Sequence, residues 1–317
     1  MTKFKRKFDV DCVEKLIDAP ENAWFGDLLK CWHPAGDCPL GNELPAQDGH
    51  LRLAVRDGYL NFYRAGQSVA KVRIVNGRKL QATIHRKYVF GKDCQAGANY
   101  VLVADGGFPD ERRARTPYAE EQLRGWIREA SDKVYAKQEK CFVDNLVAKN
   151  PGVIDLEAGL PWDPDIWGKK SAKRIDLVAL EGCGDGYKLV FWEAKLVTNS
   201  EARSRTVPTV SKQLKNYACW LATHRDEICD AYQHTCQLLV RFHALAKARY
   251  SNICDLGAAI VTVARQDVSQ LGIDTRPRLI IDDANKNAAF MEHGHLDKLR
   301  EEGFKVHLVR STENMTL

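Results

Sequence analysis

Between residues 51 and 90 apolar and polar positions alternate in short runs parted by turn dipeptides: LRLAV before Asp57-Gly58, YLNFY before Ala65-Gly66, SVAKVRIV before Asn76-Gly77, and KLQATI after it. Alternation of period two between such dipeptides predicts an antiparallel β-meander. Leu51, Leu53 and Val55 share one face, Arg52 and Arg56 the other, and Val72 and Ile74 alternate with Lys71 and Arg73 in the same way. One face should be core and the other a basic surface.

Beyond PDERRARTP (109–117), which reads as a linker, the period changes. Residues 118 to 149 predict one long or broken helix, with Tyr135, Phe142 and Leu146 on an apolar stripe and Glu139 falling on it. A strand-like VIDLEAGLP follows. Then comes RIDLVALEGCGDGYKLVFWEAKL (174–196), two apolar runs around a glycine-rich turn, and the polar loop TNSEARSRTVPT (198–209). A helix from Val210 to Thr223, further helix, and a closing strand RLIIDD, helix AAFMEHGHLDKLREEG and strand FKVHLV complete the chain. This order predicts an α/β domain with a mixed central sheet flanked by helices, covering 111–317, preceded by a smaller β-rich basic module over 1–110.

The 317 residues suffice to bury a sizeable core, and 44% hydrophobic with 28% charged residues is ordinary for a globular protein. No apolar run approaches the roughly 18 residues of a membrane span, so no membrane partner is expected. The start, MTKFKRKFDV, has no apolar segment behind it and reads as no secretory signal. Ten scattered cysteines predict reduced thiols and a cytoplasmic location. The spacing of Cys31, His33, Cys38 and His50 matches no strong zinc pattern, and no zinc is expected there. The net charge of +5 is unevenly spread: residues 51 to 90 carry nine Lys or Arg against one acid, Asp57. That face is either solvated surface or a contact for nucleic-acid phosphates, through Arg52, Arg56, Lys71 and Arg73.

Charge inside the 174–196 hairpin has no ordinary explanation in a buried sheet. A hairpin centred between Gly184 and Asp185 opposes Asp176 to Glu193, Val178 to Phe191 and Leu180 to Leu189, with Lys195 on the same face. The other face is Leu177, Ala179, Val190, Trp192 and Ala194, so both sides should be covered. Two carboxylates about 5 Å apart in such a setting repel each other and are costly to desolvate. A divalent cation such as magnesium would compensate, with Lys195 beside it to orient or deprotonate a water and to stabilise charge on a phosphate. A structural ion pair at the sheet end is the alternative. On the following helix Gln213 and Tyr217 lie one turn apart on one face.

The set Glu139, Asp176, Glu193-Ala194-Lys195 and Gln213-xxx-Tyr217, in order across helix, hairpin and helix, resembles the PD-(D/E)XK nuclease superfamily, and the Gln/Tyr pair resembles its RecB-like branch. The resemblance spans about residues 118 to 225, with the terminal strand-helix-strand completing the sheet, and Ile175 stands where the name-giving proline would. It implies a restriction-endonuclease-like core of four mixed strands and Mg2+ or Mn2+ at the site. The metal would be held by Asp176, Glu193 and the Ala194 carbonyl, with Lys195 assisting the attacking water. Glu139, or Glu157 in its stead, would support metal or water, and Gln213 and Tyr217 would hold the DNA backbone and the Lys195 side chain. Arg203 and Arg205 of the polar loop could meet backbone phosphates.

The expected function is therefore metal-dependent hydrolysis of DNA phosphodiesters, in prokaryotic defence, repair or mobile-element processing, with room for a homodimer or a protein partner. Two other classes remain. One is a nucleic-acid-binding or partner-dependent subunit on a nuclease-like fold; the other is a structural protein in which the hairpin charges form an ion pair.

Overall fold

The computed structural model describes residues 3–36, 50–91, 99–110, 114–131, 138–168, 173–203, 207–311 and 315–317. Helices α1 (Val10–Leu16) and α2 (Ala23–Lys30) precede β1 (Arg52–Val55), β2 (Leu60–Arg64), β3 (Gln67–Val75), β4 (Lys79–His85), the short α3 (Arg86–Phe90) and β5 (Tyr100–Val103). These strands form an antiparallel sheet in sequential order. Its hairpins are set by local chemistry. Ala65 and Gly66 have φ of 46° and 65°, and Asn76 and Gly77 have 53° and 64°, the left-handed pairs that match the twist of the flanking strands. A Cβ on Gly66 would lie 2.8 Å from the Cβ of Lys140, so glycine is also required there by packing.

A ribbon of β6 (Gly107–Pro109) and β7 (Arg115–Pro117) leads to α4 (Glu120–Ser131), α5 (Gln138–Lys149), β8 (Val153–Leu160), α6 (Pro164–Trp167), β9 (Lys173–Cys183) and β10 (Gly186–Leu196). Then come α7 (Thr209–Thr223), α8 (Arg225–Lys247), α9 (Ala258–Arg265), β11 (Leu271–Ile273), β12 (Arg278–Asp282), α10 (Ala288–Glu292), α11 (His295–Glu301) and β13 (Val306–Val309). The second sheet has the order β13-β12-β10-β9-β8, with β11 also on β10. It is mixed: β8, β9 and β10 are antiparallel, while β11 and β12 run parallel to β10 and β13 parallel to β12. The described residues thus form an α/β fold with a five-stranded antiparallel sheet, the β6–β7 ribbon and a mixed sheet, which has six described strands where four were expected.

Both faces of the β9–β10 hairpin are covered, which is why its two strands are apolar throughout. Leu177, Ala179, Val190, Trp192 and Ala194 pack with Phe142, Val143 and Leu146 of α5. Val178, Leu180, Leu189 and Phe191 belong to the cluster that contains Leu214 and Trp220 of α7 and Tyr232 of α8. That cluster runs on through Phe4, Trp24, Phe25 and the core face of the first sheet. The chain start is tied across it, with the Phe4 ring 5.5 Å from both Trp220 and Tyr232. Among the described residues no helix is long and apolar enough to cross a membrane.

The basic face of the meander is not uniform. Leu51, Leu53 and Val55 are buried as expected, but Arg52 and Arg56 are buried too, at 4% and 5% exposure. The reason is a second layer: Ala54 and Tyr63 on that face pack with Phe142 and Leu156 of α5 and β8. Arg52 donates to the carbonyls of His33 and Pro34 and pairs with Asp144 at 3.5 Å. Arg56 lies 2.6 Å from Asp155, which also takes Arg6 at 3.2 Å and the Tyr232 hydroxyl at 3.0 Å. Neither Arg52 nor Arg56 can therefore meet a phosphate from solvent. Lys71 and Arg73, beyond the covered region, remain half-buried and exposed respectively, over the rings of Tyr100 and Tyr59.

The cysteine reading also changes. Cys254 is disulfide-bonded, whereas Cys12, Cys31, Cys141, Cys183, Cys219, Cys229 and Cys236 are free thiols. The His33 and His50 rings lie 4.4 Å apart, burial pushes the Cys31 thiol up to about 12, and Cys38 falls outside the described residues.

Candidate active site

The β9–β10 ladder has the register that its symmetry predicts, with Leu180 opposite Leu189 and Val178 opposite Phe191. It ends one pair before the charged residues, at Leu177 and Trp192. Asp176 does not form the next rung; its Oδ2 accepts the Ala194 N–H at 2.7 Å. The carboxylate thus substitutes for a ladder acceptor and is fixed beside Glu193. On the other edge of β10, Glu193, Ala194 and Lys195 pair with Leu279, Ile280 and Ile281 of β12, so the segment is held from both sides.

Glu193 and Lys195 are 2% and 6% exposed. Glu193 Oε1 accepts from Lys195 Nζ at 2.7 Å and from Gln213 Nε2 at 2.8 Å, whereas its Oε2 is buried and has no hydrogen-bond partner among the described residues. The Gln213 amide also lies 2.7 Å from the Tyr217 hydroxyl, which donates to the Arg174 carbonyl. Gln213 therefore braces Glu193, and Tyr217 ties α7 to β9; their hydrogen bonds go to Glu193, to each other and to the Arg174 carbonyl, not to the Lys195 side chain as the resemblance implied. Glu139, on the first turn of α5, accepts from Asn199 at 2.9 Å, and Glu201 comes within 3.4 Å of Lys195.

The alternative acid, Glu157, is placed by the register of β8. Leu156 pairs with Leu177 and Ala158 with Ile175, so Glu157 lies opposite Asp176. Glu157 has φ of 51°, a left-handed conformation costly for a residue with a Cβ, on the strand beside the site. Alternation in VIDLEAGLP gives no sign of this departure.

Gln213, Tyr217 and Glu201 line a cavity of about 700 Å3, whose wall also holds Lys173, Arg174, Lys212 and Asn216. Lys212 and Asn216 are one turn apart on α7, on the flank of the Gln213–Tyr217 pair, and spacing from that pair could have found them. Arg203 is half-buried in the turn after β10, its N–H on the Ser200 carbonyl; Arg205 lies outside the described residues.

The electrostatics report unbalanced negative charge. Burial and the neighbouring Glu193 charge hold the Asp176 carboxyl well above its ordinary range, against the pull of Lys195 and the Ala194 N–H. Burial pushes Glu193 up to about 7, with Glu139 adding to it and Lys195 and Gln213 opposing it. Burial disfavours the Lys195 ammonium, but Glu193 and Asp176 together hold its pKa above the usual lysine value. One ammonium does not neutralise this group, and one buried carboxylate oxygen has no donor among the described residues. Among the described residues no three His, Cys, Asp or Glu side chains converge into a metal cluster. The donor set that fits a hard cation is two carboxylates, Asp176 and Glu193, with the Ala194 carbonyl.

A pH dependence follows. Without metal, folded Glu193 keeps its proton to about 7, whereas in the unfolded chain it loses it near 4.5. Between those values the folded state binds more protons, so stability falls as pH rises. Urea midpoints in EDTA should show this decline from pH 4.5 to 7 in the wild type and a flatter profile in Glu193→Gln. Equal slopes would mean that Glu193 is ionised across the range.

Neither a family model, nor a curated protein, nor a solved structure matches the chain.

Proposed function

We propose that the protein is a PD-(D/E)XK-type nuclease that hydrolyses DNA phosphodiesters with Mg2+ or Mn2+. The observation that carries the proposal is the pair Asp176 and Glu193, with raised carboxyl pKa values and, among the described residues, a partnerless buried oxygen on Glu193, next to Gln213, which lines a cavity with Lys173, Arg174 and Lys212. Asp176, Glu193 and the Ala194 carbonyl would hold the metal. When bound, it supplies positive charge to the phosphate oxygens and lowers the pKa of the attacking water.

The chain's own residues do the rest. Gln213 and Lys195 converge on Glu193 Oε1, which leaves Oε2 as the free donor. Lys195, whose pKa is held up by Glu193 and Asp176, works as an ammonium: it orients the water and stabilises charge that develops on the phosphate, and it is a poor base. Lys173, Arg174 and Lys212 line the approach and attract the phosphate backbone.

The Glu193–Lys195 contact of 2.7 Å favours one rival, a structural ion pair. That rival leaves Oε2 and Asp176 unexplained. The direct test incubates the purified protein with linear, nicked and circular DNA, with manganese or with EDTA. Cleavage that EDTA abolishes is expected. Binding without cleavage would identify a non-catalytic or partner-dependent subunit, and neither would leave the ion pair.

A further inference from the structure

A second basic cleft, of about 400 Å3, lies between the antiparallel sheet and the β8–β9 edge. Arg6 and Arg56 form part of its wall, but Asp155 already neutralises them. Lys71, Lys87, Lys140 and Arg174 also line it, against only Glu157 and, on the exposed side, Asp57. Glu157 is shared weakly between Lys140 at 3.9 Å and Arg174 at 3.5 Å. Lys71, Lys140 and Arg174 alone outnumber these two acids. Burial and Lys140 hold the Lys87 ammonium below its ordinary pKa, and burial, Lys87 and Lys71 do the same to His85.

The remaining lining is suited to a flat ring. Tyr100 is 48% exposed on β5, where a hydrophobic core gives it no support, and its ring stands 5.4 Å from that of His85. Lys71 lies 5.4 Å from the Tyr100 centroid, and Lys87 4.8 Å from that of Tyr88. Asn61, 3% exposed, lines the same cleft, and its Oδ1 accepts from the Ser68 hydroxyl at 2.7 Å. Clustered ammonium groups, an exposed aromatic face and a buried amide are together the means of holding a phosphate and a base.

We propose that this cleft binds a nucleoside phosphate, the phosphate among Lys71, Lys87 and Lys140 and the base against Tyr100 and His85. Arg174 lines both this cleft and the candidate active-site cavity, and it is two residues from Asp176 on β9. That is about 6.6 Å of extended chain. The source of the nucleotide is then the substrate strand itself, an unpaired stretch beyond the scissile bond. This last step rests on the nuclease reading, whereas binding of a nucleoside phosphate does not.

The test is equilibrium binding in EDTA, so that no metal chemistry contributes. The probes are a fluorescent 5′-phosphorylated single-stranded oligodeoxynucleotide and deoxyadenosine monophosphate as competitor. Lys71→Glu combined with Tyr100→Ala, both on the accessible rim, should weaken oligonucleotide binding at least about tenfold, since base stacking and a reversed phosphate contact are both removed. Unchanged melting temperature in that variant would show that the fold is intact. Competition by the mononucleotide at concentrations near the oligonucleotide's own Kd would make a free nucleotide the ligand; much weaker competition would make it the strand. Wild-type affinity in the variant, or no binding of either probe, overturns the proposal. Failure of the nuclease reading would appear elsewhere, as a wild type whose melting temperature ignores manganese.

Discussion

Replacing Asp155 by alanine should cost about 3 to 5 kcal/mol of folding stability. Asp155 is 1% exposed and takes the Arg56 guanidinium at 2.6 Å, Arg6 at 3.2 Å, the Tyr232 hydroxyl at 3.0 Å and the Leu156 N–H at 2.8 Å. Alanine leaves two guanidinium groups, each only 5% exposed, with no counter-charge beside them. Their remaining partners are neutral: Arg56 donates to the carbonyls of Val55 and Leu156, and Arg6 lies over the Phe4 ring. Asp155→Asn keeps the size and part of the hydrogen bonding but removes the charge, and should fall between wild type and alanine. Urea denaturation checks the order. Paired with Arg56→Ala in a double-mutant cycle, Asp155→Ala should show a coupling of about 1 to 3 kcal/mol. A loss under about 1 kcal/mol for Asp155→Ala would mean that the buried charges find water, and that the antiparallel sheet is held to β8 by apolar contact alone.

That network also marks where sequence reading stops. The hairpin register was legible because alternation and a central glycine turn fix it locally, and Leu180–Leu189 and Val178–Phe191 fall where symmetry puts them. The β-meander was legible for the same reason, from Ala65-Gly66 and Asn76-Gly77. Alternation also placed Arg52 and Arg56 on one face, but it carries no information about what covers that face. Their partners, Asp144 and Asp155, are about a hundred residues away in sequence, and Arg6 is 149 residues from Asp155. Glu157 was visible as an acid in a strand, yet its left-handed backbone and its place opposite Asp176 depend on the β8–β9 register. The charged end of the hairpin was legible as an anomaly. Its geometry, with Asp176 on the Ala194 N–H and Gln213 on Glu193, required the third dimension.

Manganese should raise the melting temperature of the wild type, and variants at Asp176 and Lys195 should separate the metal's holder from its helper. If Asp176 and Glu193 share a cation, a hundredfold excess over Kd adds about 2.7 kcal/mol to stability. Asp176→Ala removes a ligand together with a repelling charge, although it also frees the Ala194 N–H. Its metal-free stability should change little, while the manganese-dependent rise and cleavage both disappear. Lys195→Ala leaves both carboxylates and the Gln213 brace in place. It should keep the manganese-dependent rise and lose on the order of a hundred- to a thousandfold in turnover, because the ammonium acts on charge that develops only in the transition state. An ion pair without a metal role predicts the reverse ordering. The wild type would then be indifferent to manganese, and Lys195→Ala would be clearly destabilised without it, since the buried Glu193 would lose a cationic hydrogen-bond donor. The metal-free melt also reports on pH: because Glu193 keeps its proton to about 7, the manganese effect should be larger above that pH than below it, where the ion must displace the proton to bind. A manganese effect that did not change across neutral pH would exclude Glu193 as a ligand even if the protein cleaved DNA.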